Sequence, residues 1–383
     1  MQGRIRRAVA VVTLGLLVLA GCATFPESGP REWRDKIEGS GELGGPPDMP
    51  GPEPRAPQSR SPQPSGVPAP AIGCEDPDPQ VVETCLEPIG AIAVLPDAQS
   101  ALVAERNTGR VLLVRRGTEP QLVATVPVDT TGGGGLTGLV LSPGYAEDRL
   151  VYAYATTRED NRVVRLAPGE PPKPVLTGIP RGTVNNAGAL AVDRSQALLV
   201  ATGDAGRDPA APGSLAGKLL RIDTLGRPAP GNPDPASPIV SSGLRQPSGV
   251  CVDADDGTVW VTDRAETRDV LHRITPGPLG PPAWTWPERP GVAGCVVRPG
   301  TVMVALAVTG ALFALNVGEG GGFTGDPQTL LAGTYGRLAA TALASDGLLW
   351  LGTVNKAGGN PVPSDDRVIR IQPPATGGGE DRS

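Results

Sequence analysis

Histidine is almost missing from this 383-residue chain: there is one, His272. The five cysteines form no C-x-x-C pair, so the common zinc-site spacings are excluded. Positive charge is not in excess either. Lys and Arg total 34 against 40 Asp and Glu, the formal charge is −6, and the signs alternate without long runs. Nucleic acid is therefore not an expected partner, and the charges read as a solvated surface. No segment sustains a 3.6-residue apolar period, which argues against long amphipathic helices and an α/β fold with a parallel sheet. Neither Lys-Ser/Thr nor a helix follows the glycine run Gly132 to Gly135, which reads as a turn between repeats rather than a phosphate loop.

The chain opens with Arg4, Arg6 and Arg7, an apolar stretch from Ala8 to Leu19, and then Leu19-Ala20-Gly21-Cys22. This has the form of a secretory signal too short for a stable spanning helix. A cysteine directly after Leu-Ala-Gly marks a bacterial lipoprotein, with Cys22 lipidated and acting as membrane anchor. Residues 1–21 are then the signal peptide, and loss of its three arginines takes the formal charge from −6 to −9. Residues 22–73 comprise the lipidated cysteine and a linker dominated by Pro, Gly and Ser, which cannot bury enough apolar surface to fold. Residues 375–383 form a similar tail. The expected location is the outer face of the cytoplasmic membrane.

What remains, 74–374, is long enough for one large repeat domain. Six times it shows a short apolar run, a polar or Gly-containing turn, a second apolar run and a third. The first copy runs from Ile89 to Val114. Later copies open at Gly138, Gly188, Gly249, Gly294 and Ala340, a spacing that suits propeller blades. The runs are rich in Val, Leu and Ala, and turn residues such as Pro96-Asp97, Asp255-Asp256-Gly257 and Ser345-Asp346-Gly347 separate them, as in a β-meander. The expected fold is all-β, a six-bladed propeller of four-stranded antiparallel blades. The last copy runs out after three strands, so the segment Gln80 to Leu86 is expected to supply the fourth and close the ring.

With Cys22 assigned to lipid, Cys74, Cys85, Cys251 and Cys295 remain, an even number in an exported protein. Three pairings are possible. The expected one joins Cys74 to Cys85 at the domain entrance and Cys251 to Cys295, which hold equivalent places in consecutive repeats.

Particular residues carry a family resemblance. The stretches Leu102-Val103-Ala104-Glu105-Arg106-Asn107-Thr108-Gly109-Arg110-Val111 and Gly134-Gly135-Leu136-Thr137-Gly138-Leu139-Val140-Leu141-Ser142-Pro143 resemble the glucose/sorbosone dehydrogenases. So do Ala201-Thr202-Gly203-Asp204-Ala205-Gly206 and Ser214-Leu215-Ala216-Gly217-Lys218-Leu219-Leu220-Arg221-Ile222. These are six-bladed quinoproteins that use pyrroloquinoline quinone and calcium. The signal, the linker, the cysteines and the phrases Trp284-Thr285-Trp286-Pro287 and Gly291-Val292-Ala293-Gly294-Cys295 are similar to a mycobacterial lipoprotein branch.

The resemblance places a catalytic histidine, the general base, three residues before Gly188. Asn185 stands there, with Asn186 beside it, and an amide cannot take that proton. The family's Gly-His-Arg-Asn-Pro-Gln-Gly reads Gly243-Leu244-Arg245-Gln246-Pro247-Ser248-Gly249. Its calcium-binding Gly-Pro turn is replaced by Thr262-Asp263-Arg264-Ala265-Glu266, where Asp263 and Glu266 are conceivable ligands and Arg264 competes for them. Its paired quinone-gripping arginines reduce to Arg337. Lysine is absent between Lys218 and Lys356, so the quinone-contacting lysine has no counterpart.

The candidate axial pocket therefore comprises Asn185, Asp204, Arg245 and Arg337, with no catalytic, cofactor or metal residue assigned. Each has a structural alternative: salt bridging between blades for the arginines, a turn cap for Asp204. His272 reads as a structural or surface imidazole. Trp284 and Trp286 either stack on a sugar or pack between blades. The leading expectation is a monomeric, membrane-anchored propeller that binds an envelope ligand or protein without catalysis and without cofactor. The alternatives are a quinone- and calcium-dependent sugar or polyol dehydrogenase with a rearranged site, in which Asp204 supplies the base, and a structural hub.

Overall fold

The structure is a computed structural model that describes residues 73–373. The signal peptide, Cys22, the linker and the tail lie outside them. Six sheets make up the fold. A single strand, β1 (Val81–Glu83), precedes blade 1, which contains β2 (Ile89–Val94), β3 (Ser100–Glu105), β4 (Arg110–Arg115) and β5 (Thr118–Thr125). Blade 2 is β6 (Leu136–Leu141), β7 (Val151–Thr156), β8 (Asn161–Leu166) and β9 (Lys173–Ile179). Blade 3 is β10 (Gly188–Val192), β11 (Leu198–Thr202), β12 (Lys218–Ile222) and β13 (Ile239–Ser242). Blade 4 holds β14 (Pro247–Val252), β15 (Val259–Arg264) and β16 (Asp269–Arg273), then, after the short β17 (Gly277–Pro278), β18 (Trp284–Trp286). Blade 5 is β19 (Val292–Arg298), β20 (Thr301–Leu306), β21 (Ala311–Val317) and β22 (Phe323–Leu330). Blade 6 is β23 (Leu338–Leu343), β24 (Leu349–Thr353) and β25 (Val368–Ile371), completed by β1.

Aspartates explain why most of the innermost hairpins turn where they do. Asp97, Asp148, Asp193, Asp253 and Asp346 each accept a backbone N–H two residues ahead, a local turn that the side chain itself closes. The second strand of a blade is then sandwiched on both faces by its neighbours. Every residue of β3, β7, β11, β20 and β24 is buried, and the apolar runs are continuous because neither face meets water. Outer strands β5 and β22 are mostly exposed.

Each interface between blades has its own apolar core. Trp350 packs with Ile92 and Val103 between blades 6 and 1, and Tyr152 and Tyr154 with Leu198 and Leu220 between blades 2 and 3. Between blades 4 and 5, Trp260, Trp284 and Trp286 pack against Phe313 and Phe323. The two indoles of the Trp-Thr-Trp phrase are therefore committed to packing, and Trp286 is buried.

The ring closes through β1, which pairs antiparallel with β25 as Val81↔Ile369. A polar latch reinforces it. Tyr335 Oη reaches Asp78 and Gln80 at 2.8 and 2.7 Å, and Arg367 pairs with Asp76 at 3.0 Å and Asp365 at 2.9 Å. The Cys74–Cys85 disulfide spans the same segment, and Cys251–Cys295 joins β14 to β19, both as expected. One difference concerns blade 3. The connection between β16 and β18 runs along its outer edge, and β17 pairs there in parallel with β13, giving a fifth strand. Among the described residues no helix is long and apolar enough to cross a membrane.

Candidate functional site

The inner strands begin at one mouth of the ring. There a cavity of about 110 Å³ is lined by Arg106, Gln246, Ser248, Arg264, Thr137 and Arg337, with small residues between them. Close approach of the inner strands makes glycine necessary here: a Cβ on Gly90 would lie 2.0 Å from the Leu136 carbonyl oxygen.

Three guanidinia come from three blades. Arg106 follows β3 and donates through Nε to the Gly134 carbonyl at 3.0 Å and through Nη2 to that of Gly133. The glycine loop can present those carbonyls because Gly132, Gly133 and Gly135 have φ of 61°, 79° and 108°, which side-chain-bearing residues rarely adopt. Arg264 ends β15 and donates to the Val292 carbonyl at 2.8 Å and that of Gly291 at 3.5 Å. Arg337 reaches only the Gly358 carbonyl, at 3.5 Å, and its Nε is buried without a partner.

Among the described residues none of the three enters an ion pair. Burial pushes the Arg106 pKa down, and the charge of Arg264 adds to the effect. Burial likewise lowers Arg264; Asp269 opposes the shift, while Arg337 and Arg289 reinforce it. Guanidinium stays charged regardless, so the mouth is a concentrated positive site.

A second cavity, of about 460 Å³, lies beside it and is lined by Asp204, Arg245, Asp263, Glu266, Arg268 and His272 among others. The buried Asp263 carboxylate accepts the Arg245 N–H at 2.9 Å and the Gln246 N–H at 2.6 Å. Burial pushes its pKa up to about 6, against those two hydrogen bonds and with help from the Asp204 charge. His272 Nε2 stands 3.9 Å away, and burial lowers its pKa to about 4. Asp204 Oδ1 accepts the Asn185 amide at 2.9 Å and the Gly206 N–H at 2.7 Å.

The structure thus divides the four candidates of the axial pocket. Arg337 lines the axial mouth, whereas Asp204 and Arg245 line the neighbouring cavity. Asn185 lines neither of these two cavities and is tied to Asp204. Arg245 has its backbone N–H held by Asp263, and its Nη1 donates to the Arg264 carbonyl at 3.4 Å. Arg264 does not compete for Asp263 or Glu266; its guanidinium goes to carbonyls of the next blade. Sequence reasoning passed over Arg106 and Arg264 as site residues. The available signal was an acid-Arg dipeptide at the end of a second strand, Glu105-Arg106 and again Asp263-Arg264.

The glucose/sorbosone dehydrogenase family model matches residues 86–288, more than half of the chain. The chain belongs to the glucose/sorbosone dehydrogenase family. Among solved structures, it is similar to the quinone-bound aldose sugar dehydrogenase of Streptomyces coelicolor, with 33% identity and a TM-score of 0.72, covering 77% of this chain and 96% of that one. A glucose dehydrogenase-type oxidoreductase of Thermus thermophilus is 32% identical, with a TM-score of 0.69, over 76% of this chain and 98% of that one. The soluble aldose sugar dehydrogenase of Escherichia coli, at 20% identity and a TM-score of 0.66 over 76% of this chain and 98% of that one, shares the fold. No curated protein matches.

Proposed function

We propose that this member of the family is a lipid-anchored, extracytoplasmic propeller, similar to the mycobacterial lipoprotein LppZ, that binds an envelope ligand or protein partner at its axial mouth and does not oxidise sugars. The observation that carries the reading is Asn185. Its amide donates to the Asp204 carboxylate, an arrangement that holds it as a donor, and it has no titratable nitrogen to accept a substrate proton.

The residues of the mouth do not fit pyrroloquinoline quinone with its calcium. Calcium takes six to eight oxygens, backbone carbonyls among them, yet the Gly133, Gly134, Gly291 and Val292 carbonyls at the mouth already accept from the Arg106 and Arg264 guanidinia. The segment that aligns with the calcium turn instead delivers the Arg264 cation to the mouth. The competing reading, a dehydrogenase with a rearranged site, takes its base from Asp204, whose Oδ1 already accepts from the Asn185 amide and the Gly206 N–H; the neighbouring Asp263 has a raised pKa, but both of its oxygens already accept backbone N–H groups.

The test uses the full chain, purified in detergent and supplied with the quinone and calcium, and follows dye reduction over a panel of sugars and polyols. No turnover is expected, and turnover on any of them would overturn the reading. For the anchor, Cys22→Ala should shift the protein from membrane to soluble fractions; an unchanged distribution would remove Cys22 as the attachment point.

A further inference from the structure

Glu105-Arg106 and Asp263-Arg264 are the same device on two blades. Ile89 pairs with Glu105 and Pro247 with Asp263, each pair at a bulge in the innermost ladder. Each acid reaches back to a backbone N–H just before the inner strand: Glu105 to Glu87 at 3.0 Å, Asp263 to Arg245 and Gln246. The following side chain on a strand points the other way, so both arginines arrive at the mouth. In a ring of six, blades 1 and 4 have two blades between them on either side. Arg106 and Arg264 therefore enter from opposite sides of the axis, and Arg337 joins them from blade 6, next to blade 1.

Cations drawn out of water are ordinarily paired. Here three half-buried guanidinia surround one small cavity; Asp269 offsets part of the Arg264 charge, no carboxylate forms an ion pair with any of the three among the described residues, and Nη1 of Arg106 and Arg264 and Nη2 of Arg337 have no protein acceptor there. The free edges match a carboxylate or phosphate group, which a guanidinium fork grips with two parallel hydrogen bonds.

We propose that the axial mouth is a metal-independent site for a small oxyanion, a carboxylate or phosphate group, held between Arg106 and Arg264 and contacted by Arg337. This rests on the reading that the mouth takes a ligand other than the quinone. The three guanidinia outnumber the one carboxylate, Asp269, that acts on them, so the anion meets a net positive site and no calcium is needed to hold it.

Calorimetric titration of the full chain in detergent with inorganic phosphate, and separately with succinate, tests the site in the presence of EDTA and of calcium. Saturable binding of at least one anion is expected, equal in the two conditions; which anion binds separates a phosphate source from a carboxylate one. R106Q and R264Q should each weaken it at least tenfold, while R268Q, in the neighbouring cavity, leaves it unchanged. Should R264Q fail to fold, R264K keeps the charge, loses the fork and is expected to bind several-fold more weakly. No saturable binding of either anion, a requirement for calcium, or parental affinity in both R106Q and R264Q would each overturn the proposal. Those failures leave the dye assay untouched, whereas turnover with added quinone removes the reading underneath.

Discussion

Asp263 and His272 carry opposite pH dependences 3.9 Å apart. The folded Asp263 carboxyl has its pKa raised to about 6 from 3.8, so its contribution to stability is greatest below 3.8 and is lost as pH rises through 6. Folded His272 has its pKa lowered to about 4 from 6.5, so its contribution is present above 6.5 and is lost as pH falls through 4. Each effect is about 3 kcal/mol, and between pH 4 and 6 they oppose each other. The parent protein should therefore show a flat stability profile in that window. His272→Gln should unmask the carboxyl, with stability falling as pH rises from 4 to 6; Asp263→Asn should unmask the imidazole, with stability falling as pH drops from 6.5. Urea midpoints at a series of pH values measure both slopes, and two variants as flat as the parent would refute the pairing.

At the scale of the element, the covalent tie between β14 and β19 joins the inner strands of adjacent blades inside the core that holds Trp260 and Trp286. It closes a sequence separation of 44, so replacing both Cys251 and Cys295 by Ala should cost about 4 kcal/mol through the wider unfolded ensemble. Denaturant unfolding measures the difference, and a loss below about 1 kcal/mol would count against that entropic account. Strand count, blade order and this pairing were legible because each leaves a local mark: an apolar run, an Asp turn, a cysteine at an equivalent place. Strand starts were less so. The repeats read as opening at Gly138, Gly249 and Gly294, whereas β6, β14 and β19 begin two residues earlier, at Leu136, Pro247 and Val292. Those leading residues pair across a bulge, which breaks the period that a sequence reader follows. The glycines mark instead where inner strands come closest. The candidate site was half legible. A motif shows which residues occur near a strand end, but not which cavity each side chain lines: Arg245, two residues before β14, lines the neighbouring cavity, whereas Arg264, at the end of β15, lines the mouth.

On the scale of the whole molecule, stability is distributed over interfaces rather than held in one centre. Each blade is half of two cores, so loosening any blade exposes apolar surface on both sides, and the ring depends on β1 to hold its last blade. That strand is only three residues long and pairs with β25 at two positions. Cys74 and Cys85 bracket it. Tension applied from upstream of residue 74 therefore crosses the sulfur–sulfur bond directly to Cys85 and passes on toward blade 1, leaving β1 slack inside a closed covalent loop. Optical-tweezer pulling between the two chain ends should show, only after addition of reductant, an extra early extension of about 4 nm from the 11 residues so released; the same extension without reductant would mean that the strand does bear load. Force arriving from upstream of residue 74 thus falls on a covalent bond and not on the seam of the ring.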